Sequence, residues 1–236
     1  MSTASSESPV DLWFVRTEDV FRPSLLRACT ALLTPEEEAK RSAFVFEKHR
    51  HEYLVTRALA RAVLARYARK TPSALDFIRN EYGRPELTPP GARFNLTNTT
   101  KLVVCAVAAD REVGVDAEPV DRGDRILDLA DTVFTVGERA RLAALPMAQR
   151  LRRAVELWTL KEAYIKARGM GMSLPVENIE LHVDADAIRL SFHAPVSDST
   201  PWVLETREIE GHLVATCIER GGPVRTHHAN LDELLG

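Results

Sequence analysis

The spacing of apolar residues predicts several helices along the chain. Apolar positions recur every three or four residues in "RHEYLVTRALARAVLARYARK" (50–70) and again through 147–168, which is the period of a helix with one packed face. A shorter helix is predicted in "TPEEEAKRSAFVF" (34–46), where Thr34 can cap the first turn and Pro35 suits the first helical position. Residues 124–145 form a further helical region.

Short apolar runs between these segments predict strands. They lie at 11–15, 75–87 (turning at Gly83), 92–100, 101–120, 178–183, 187–193, 202–209 and 212–219. We interpret 101–120 as a hairpin of two strands that turns at Asp110-Arg111. Helices followed by antiparallel strands occur twice in this order, which predicts an α+β fold built from two similar halves.

The predicted halves are residues 1–115 and 116–225, related by a pseudo-twofold axis, and residues 226–236 are expected to be a flexible tail. His227 and His228 lie in that tail. We interpret them as surface residues and not as a metal site, because no further residues with ligand spacing accompany them.

Composition narrows the function only a little. The chain has 236 residues and a net charge of −3, so charge gives no reason to expect a nucleic-acid or anionic-membrane partner. Cys29, Cys105 and Cys217 are far apart and resemble core residues of a reduced compartment. Neither a signal sequence nor a membrane span is found, and we therefore expect a cytoplasmic protein.

Two acids in "GVDAEPV" (114–120) are candidates for chemistry. Side chains alternate along a strand, so Asp116 and Glu118 project to the same side, where each carboxylate raises the pKa of the other unless a cation lies between them. Either the pair lies on a solvated strand face or it binds a metal. The apolar residues on both sides favour the end of a buried strand.

A third acid interrupts the apolar face of the 147–168 helix. Glu162 shares one stripe with Leu151, Val155, Trp158 and Ile165, and an unpaired carboxylate on a packing face is costly. It could be protonated, bind a metal, or pair with Lys166 one turn further along. Gly169 stands where a glycine commonly ends a helix.

Five segments in order resemble the larger, Sfp-type 4′-phosphopantetheinyl transferases. They are "NEYGRPEL" (80–87), "FNLTNT" (94–99), "GVDAEPV" (114–120), "FTVGERARL" (134–142) and "WTLKEAYIKARGMGM" (158–172). Members transfer the phosphopantetheine arm of coenzyme A to a serine of a carrier protein and release adenosine 3′,5′-bisphosphate. The resemblance implies an active site between the two halves.

The resemblance also implies roles for individual residues. Asp116, Glu118 and Glu162 would bind Mg²⁺, or Mn²⁺ in its place, and Mg²⁺ is a cation that prefers oxygen ligands. Glu162 would also be the base for the incoming serine, either directly or through a metal-bound water. Lys166 would hold a phosphate of coenzyme A, and Lys161 would assist it.

Further contacts to coenzyme A are expected from basic residues of the first half. Arg50, Arg57 and Arg61 fall near one stripe of the 50–70 helix, although such a trio also suits a solvated face. Arg50 and Arg57 are preferred, with Arg41 and His49 as weaker candidates. Arg84 replaces the family's lysine in the NxxGKP pattern, and it is expected either to contact a phosphate or to stabilise the turn. Asn98 replaces the family's histidine, so Thr97, Asn98 and Thr99 are expected to offer only neutral donors to a phosphate.

Two other functions stay open at this point. The three acids also suit a magnesium-dependent hydrolase of a nucleotide pyrophosphate. A non-catalytic module that only binds carrier proteins is a second alternative, although the complete set of acids argues against it. For the transferase we expect a monomer, with coenzyme A and apo acyl or peptidyl carrier proteins as its partners.

Overall fold

The computed structural model describes residues 8–184 and 187–236, without the side chain of Met172. The α-helices within them are α1 (Pro23–Ala31), α2 (Pro35–Ser42), α3 (Glu47–Ala68), α4 (Gly123–Leu127), α5 (Ala130–Val133), α6 (Val136–Ala143), α7 (Met147–Arg168) and α8 (Leu231–Leu235). The described helices include none that is both long and apolar enough to cross a bilayer.

Most strands of the described residues come in two runs, one after α3 and one after α7. They are β1 (Val10–Arg16), β2 (Asp76–Arg79), β3 (Pro85–Thr88), β4 (Arg93–Asn98), β5 (Leu102–Ala108), β6 (Val113–Pro119), β7 (Ile179–Val183), β8 (Ile188–Phe192), β9 (Trp202–Ile209), β10 (His212–Glu219) and β11 (Val224–His228). Helices and mostly antiparallel strands together confirm the predicted α+β class.

Among the described residues, 8–80, 85–110 and 222–236 form one compact unit, here called unit 1. Its sheet has the strand order β11-β1-β5-β4, and β2 pairs with β3 as a separate hairpin. The predicted apolar face of α3 is buried in the core of this unit together with β5 residues. Thr34 caps α2 through a capping box, as its position before Pro35 predicts.

The C-terminal segment, expected to be flexible, is part of the unit 1 sheet. β11 pairs in parallel with β1, and Leu231 of α8 is buried in the core. His227 Nε2 donates to Asp11 Oδ1 at 2.8 Å, and its ring stacks on Trp13 with ring centroids 4.4 Å apart. The partner strand lies more than 200 residues earlier, so local polarity could not reveal this pairing.

Residues 81–84 and 111–221, where described, form the second compact unit, here called unit 2. Its sheet has the order β6-β10-β9, and β7 pairs with β8. The apolar face of α7 packs in a core that includes Ala215 and Cys217 of β10. α7 ends at Gly169, which has φ +63° and confirms the predicted glycine C-cap.

The predicted hairpin at Asp110-Arg111 is wrong. β5 lies between β1 and β4 in unit 1, so both of its edges are already paired. β6 instead pairs with β10 in unit 2, with Asp116 opposite Ala215. The change of unit therefore comes between Asp110 and Arg111, a few residues before the expected boundary after residue 115.

Candidate active site

β6 brings two carboxylates close to α7. Asp116 and Glu118 are only 6% and 7% exposed, so the solvated-face interpretation of this strand does not hold. Gly114 explains how close the two elements lie, because a Cβ at this position would lie 2.0 Å from the carbonyl oxygen of Ala163. The glycine before the two acids thus permits α7 to approach the strand that carries them.

α7 supplies an ammonium group and an indole N–H to these carboxylates. Lys166 Nζ donates to Asp116 Oδ1 at 2.6 Å. Trp158 Nε1 donates to Glu118 Oε1 at 3.1 Å. Trp158 and Lys166 both lie on the helical stripe that also carries Glu162, so this face of α7 faces the acids of β6.

Glu162 is half-buried beside the same acids. Burial raises its pKa most, the negative charge of Asp116 raises it further, and Glu118 adds a smaller effect in the same direction. Lys166 opposes these effects and lowers the pKa of Glu162. Glu162 is therefore electrostatically coupled to Asp116 and Glu118. Lys166 bonds to Asp116, and its charge also favours the ionised form of Glu162.

The type of donor in this cluster suits a hard divalent cation, since all three acids offer carboxylate oxygens. Within residues 8–184 and 187–236, however, no group of three or more His, Cys, Asp or Glu side chains is arranged to hold a metal ion. Asp116 is bonded to Lys166, and Glu118 is bonded to Arg122. Binding a cation would thus require these carboxylates to turn from their present partners.

Arg122 is a member of this cluster that the sequence analysis missed. Its Nη1 donates to both oxygens of Glu118, at 2.6 Å and 2.5 Å. It lies four residues after Glu118, just before α4, in a turn that brings it back over the strand end. A basic residue shortly after the acid pair was a possible signal in the sequence. Strand periodicity could not use it, because Arg122 lies in a turn beyond the end of the strand.

Lys161 lies in the core and not at the carboxylate cluster. Its Nζ pairs with Glu138 at 2.7 Å, and both side chains are 0% exposed. It also donates to the carbonyl oxygens of Val133 and Val176. Burial lowers the pKa of Lys161, and Glu138 opposes that effect. Its charge thus connects α7 to the start of α6, which supports a structural role.

Arg84 is likewise engaged within unit 2. Its Nη1 donates to Glu112 Oε2 at 2.8 Å and to the carbonyl oxygen of Ala167 at 3.2 Å. Its guanidinium also packs against Gly169, where a Cβ would lie 2.7 Å from Cζ. Of the two roles considered for Arg84, this placement favours stabilising the turn that follows α7.

Several predicted coenzyme A contacts line one cleft of unit 1. The cleft has a volume of about 880 Å³. Arg57, Asn98, Arg61 and His49 are part of its lining. The lining also contains side chains that the sequence analysis did not single out, namely Lys40, Tyr53, Phe77 and Arg79. Cations and aromatic rings in one cleft suit a ligand that combines phosphate with a planar base.

Two arginines of this cleft, Arg57 and Arg61, pair with the same carboxylate. Glu37, the capping-box acid of α2, pairs with Arg57 and also with Arg61, the latter at 2.9 Å. Burial acts to raise the pKa of Glu37, but the Thr34 backbone N–H and the two arginines together bring it below its ordinary value. Arg61 is only 1% exposed, so Arg57 is the more accessible of the two cations.

The remaining candidates divide between surface and core. Asn98 is exposed at the end of β4, whereas Thr97 points to the opposite, buried face. Arg50 donates to the carbonyl oxygens of Phe44 and Val45 and to Glu47, and so closes the turn between α2 and α3. Arg41 pairs with Glu38 at 2.6 Å.

Comparison with known proteins assigns the family. The profile of the 4′-phosphopantetheinyl transferase superfamily matches residues 112–217, and that of the 4′-phosphopantetheinyl transferase N-terminal region matches residues 22–110. The 4′-phosphopantetheinyl transferase HetI of Nostoc sp. (strain PCC 7120) is 31% identical over 176 residues, which are 73% of each chain. The 4′-phosphopantetheinyl transferase Sfp of Bacillus subtilis (strain 168) is 29% identical over 192 residues, 79% of this chain and 82% of Sfp.

A solved structure that matches part of this chain is the holo-(acyl-carrier-protein) synthase of Bacillus anthracis in complex with CoA. It has 22% identity and a TM-score of 0.40, over 46% of this chain and 94% of the synthase. On the strength of the sequence relatives and both family profiles, the chain belongs to the 4′-phosphopantetheinyl transferases of the Sfp type. It is accordingly a transferase of the phosphopantetheinyl group.

Proposed function

We propose that the enzyme transfers 4′-phosphopantetheine from coenzyme A to a serine of an apo acyl or peptidyl carrier protein in a magnesium-dependent reaction. The observation that carries this proposal is the coupled set of Asp116, Glu118 and Glu162 around Lys166, inside the segment that matches the superfamily. Coenzyme A and the carrier are the expected partners, and the enzyme is expected to act as a monomer.

The reaction forms one P–O bond and breaks another. The serine oxygen bonds to the β-phosphorus of coenzyme A, and the bond from that phosphorus to the bridging oxygen breaks. Adenosine 3′,5′-bisphosphate leaves with the bond's electron pair, and the serine proton passes to a base. Such a transfer depends mainly on positioning the reactants and on neutralising the charge of the phosphates.

Glu162 is the proposed base. Burial and the neighbouring acids raise its pKa, so its carboxylate accepts the serine proton more readily than an ordinary surface glutamate would. Asp116 and Glu118 would hold the Mg²⁺ ion together with Glu162. A bound Mg²⁺ neutralises charge that develops on the pyrophosphate oxygens. Lys166, released from Asp116, binds a phosphate oxygen.

The cleft of unit 1 is the proposed site for the nucleotide end of coenzyme A. Arg57 and Asn98 both line it, and its aromatic residues Tyr53 and Phe77 can contact a base. Roles in binding for Arg50, Arg84, Thr97 and Lys161 rest on the family resemblance alone.

The test is a transfer assay read by mass spectrometry. The protein is mixed with coenzyme A, Mg²⁺ and a panel of apo carrier proteins, and we expect one phosphopantetheine to be added to at least one carrier. Failure on every carrier would refute the proposal. Release of adenosine bisphosphate in the absence of any carrier would indicate a hydrolase, and carrier binding without any reaction would indicate a binding module.

A variant pair tests whether Glu162 takes part in the reaction. Glu162→Gln is expected to reduce turnover by at least about a hundredfold, since a positioned base contributes roughly 10²–10⁴ in rate. Glu156→Gln is the control, because Glu156 lies on the same helix but bonds to Arg153 and Thr206. Thermal unfolding of both variants shows that the fold is retained. A near-normal rate for Glu162→Gln would exclude Glu162 as the base.

A further inference from the structure

Arg122 already binds one of the proposed metal ligands. The Arg122 side chain is 46% exposed and its Nη1 contacts both oxygens of Glu118, whose side chain is 10% exposed. The guanidinium thus places a positive charge beside oxygens that a divalent cation would need. The contact to Glu118 is made by the end of the long Arg122 side chain, so the guanidinium can move away while the backbone of Arg122 stays bonded to Pro119.

Trp158 contacts the same carboxylate but carries no charge. Its indole N–H donates to Glu118 Oε1 at 3.1 Å, and one carboxylate oxygen has two lone pairs. A neutral donor of this kind orients a metal-binding carboxylate without repelling the metal. Glu118 therefore has one neutral partner that is compatible with a bound cation and one charged partner that opposes it.

We propose that Arg122 competes with the divalent cation for Glu118, so that the enzyme binds the cation tightly only when a pyrophosphate draws the guanidinium away. The proposal rests on the proposed function, since it takes Glu118 as a ligand of the Mg²⁺ ion. It assigns Arg122 a role in coupling the binding of cation and coenzyme A, and not a role in proton transfer.

The chemistry of arginine supports this coupling. A guanidinium is always charged at physiological pH, and its fork of N–H donors fits phosphate oxygens as well as it fits a carboxylate. A pyrophosphate near the cluster therefore offers Arg122 an alternative partner, while Glu118 becomes free to bind the cation. By linkage, the cation and coenzyme A must then strengthen each other's binding by the same factor.

The test measures the Kd of Mg²⁺ by calorimetry, with and without coenzyme A and with no carrier present. The variants are Arg122→Gln, Arg122→Lys and the control Arg125→Gln, an exposed arginine three residues further along α4. Without coenzyme A, Arg122→Gln is expected to bind Mg²⁺ about tenfold more tightly than the wild type, within the usual range for changes around a metal ligand. Arg125→Gln should match the wild type.

The coupling is the second readout. Coenzyme A should tighten Mg²⁺ binding in the wild type, and this gain should be several-fold smaller in Arg122→Gln. Arg122→Lys keeps the positive charge but lacks the forked N–H donors of a guanidinium, so its gain in Mg²⁺ affinity on adding coenzyme A should lie between those of the wild type and Arg122→Gln. Thermal unfolding in excess chelator confirms that each variant is folded. If the Arg122–Glu118 pair had only a structural role, Arg122→Gln would lower the unfolding temperature. The Kd of Mg²⁺ would then be unchanged both with and without coenzyme A.

The possible outcomes are distinct. If the wild type binds Mg²⁺ and Arg122→Gln binds it equally well, the competition is refuted while the proposed function stands. If the wild type binds no Mg²⁺ with or without coenzyme A, the metal assignment fails and this inference fails with it. Trp158→Phe removes a neutral partner of Glu118 and should weaken Mg²⁺ binding. If it instead raised the affinity for Mg²⁺ as Arg122→Gln is expected to do, the role given to the charge of Arg122 would be refuted.

Discussion

The buried ion pair between Lys161 and Glu138 permits a prediction that separates two roles for Lys161. Family resemblance suggests that Lys161 assists at a phosphate, whereas its contacts place it in the core with Glu138 at 2.7 Å. Lys161→Met keeps the length of the side chain and removes its charge. If the role of Lys161 is to pair with Glu138 in the core, the variant loses stability. If its role is to contact a phosphate, the variant loses affinity for coenzyme A.

The size of the stability loss follows from the surroundings of the pair. Removing one partner of a buried ion pair costs about 3–5 kcal/mol, because the other charge is left in a medium of low polarity. Glu138 retains the backbone N–H groups of Thr135 and Leu181 as donors, both at 2.8 Å. The variant should therefore fall near the lower end, about 3 kcal/mol, or roughly 10 °C in the unfolding temperature for a chain of this size.

The assay combines urea unfolding with transfer kinetics. Lys161→Met should lower the free energy of unfolding by the stated amount and leave the KM for coenzyme A within about twofold for the molecules that remain folded. Glu138→Gln and the double variant complete a cycle, in which the loss for the double variant should be smaller than the sum of the two single losses. Unchanged stability together with a KM raised about tenfold would refute the structural role.

Three further outcomes follow from other contacts. Gly114→Ala should destabilise unit 2 by several kcal/mol and reduce transfer, because its Cβ would lie 2.0 Å from the Ala163 carbonyl oxygen; normal unfolding of this variant in urea would contradict the close approach of β6 and α7. Asp198 has a pKa lowered to about 2 because hydrogen bonds from the Thr200 N–H, Trp202 and Tyr164 outweigh its burial. Since the folded pKa lies below the unfolded value of 3.8, its contribution of about 2 kcal/mol is present above pH 4 and is lost as the pH falls towards 2. The stability gap between the wild type and Asp198→Asn should accordingly close over that range in urea titrations, and a gap that is constant from pH 5 to pH 2.5 would show that the charge of Asp198 is unimportant. Arg57→Gln should raise the KM for coenzyme A with little change in kcat, while Arg41→Gln on α2, whose partner is Glu38, should leave KM unchanged; equal effects of the two variants would argue against the cleft as the nucleotide site.

Local features of the chain were readable in advance. The period of apolar residues predicted α3 and α7, and the residues Thr34 and Gly169 predicted how α2 begins and how α7 ends. Strand alternation placed Asp116 and Glu118 on one side of β6. These features depend on residues within a few positions of each other, and short-range sterics and hydrogen bonds determine them regardless of the rest of the fold.

Pairings between distant segments were not readable. The apolar runs that become β5 and β6 look like a hairpin, but their partners are β1 and β4 for one and β10 for the other. The polar C-terminal segment becomes β11 because β1 offers it a free edge. The partner of a strand depends on which strand edges and apolar faces remain uncovered in the whole unit. The sequence of a single segment does not contain this information.

The candidate site shows the same division. The spacing along α7 put Glu162 on the packing face, where burial raises its pKa most and the carboxylates of β6 raise it further. Spacing put Lys166 near the face of Glu162 and Lys161 about 100° around the helix. It could not show that Lys166 reaches Asp116, or that Lys161 is buried in the core with Glu138. Helix geometry fixes the direction in which a side chain leaves its own helix, but the element that packs opposite determines whether its charge meets substrate, solvent or a buried counter-ion.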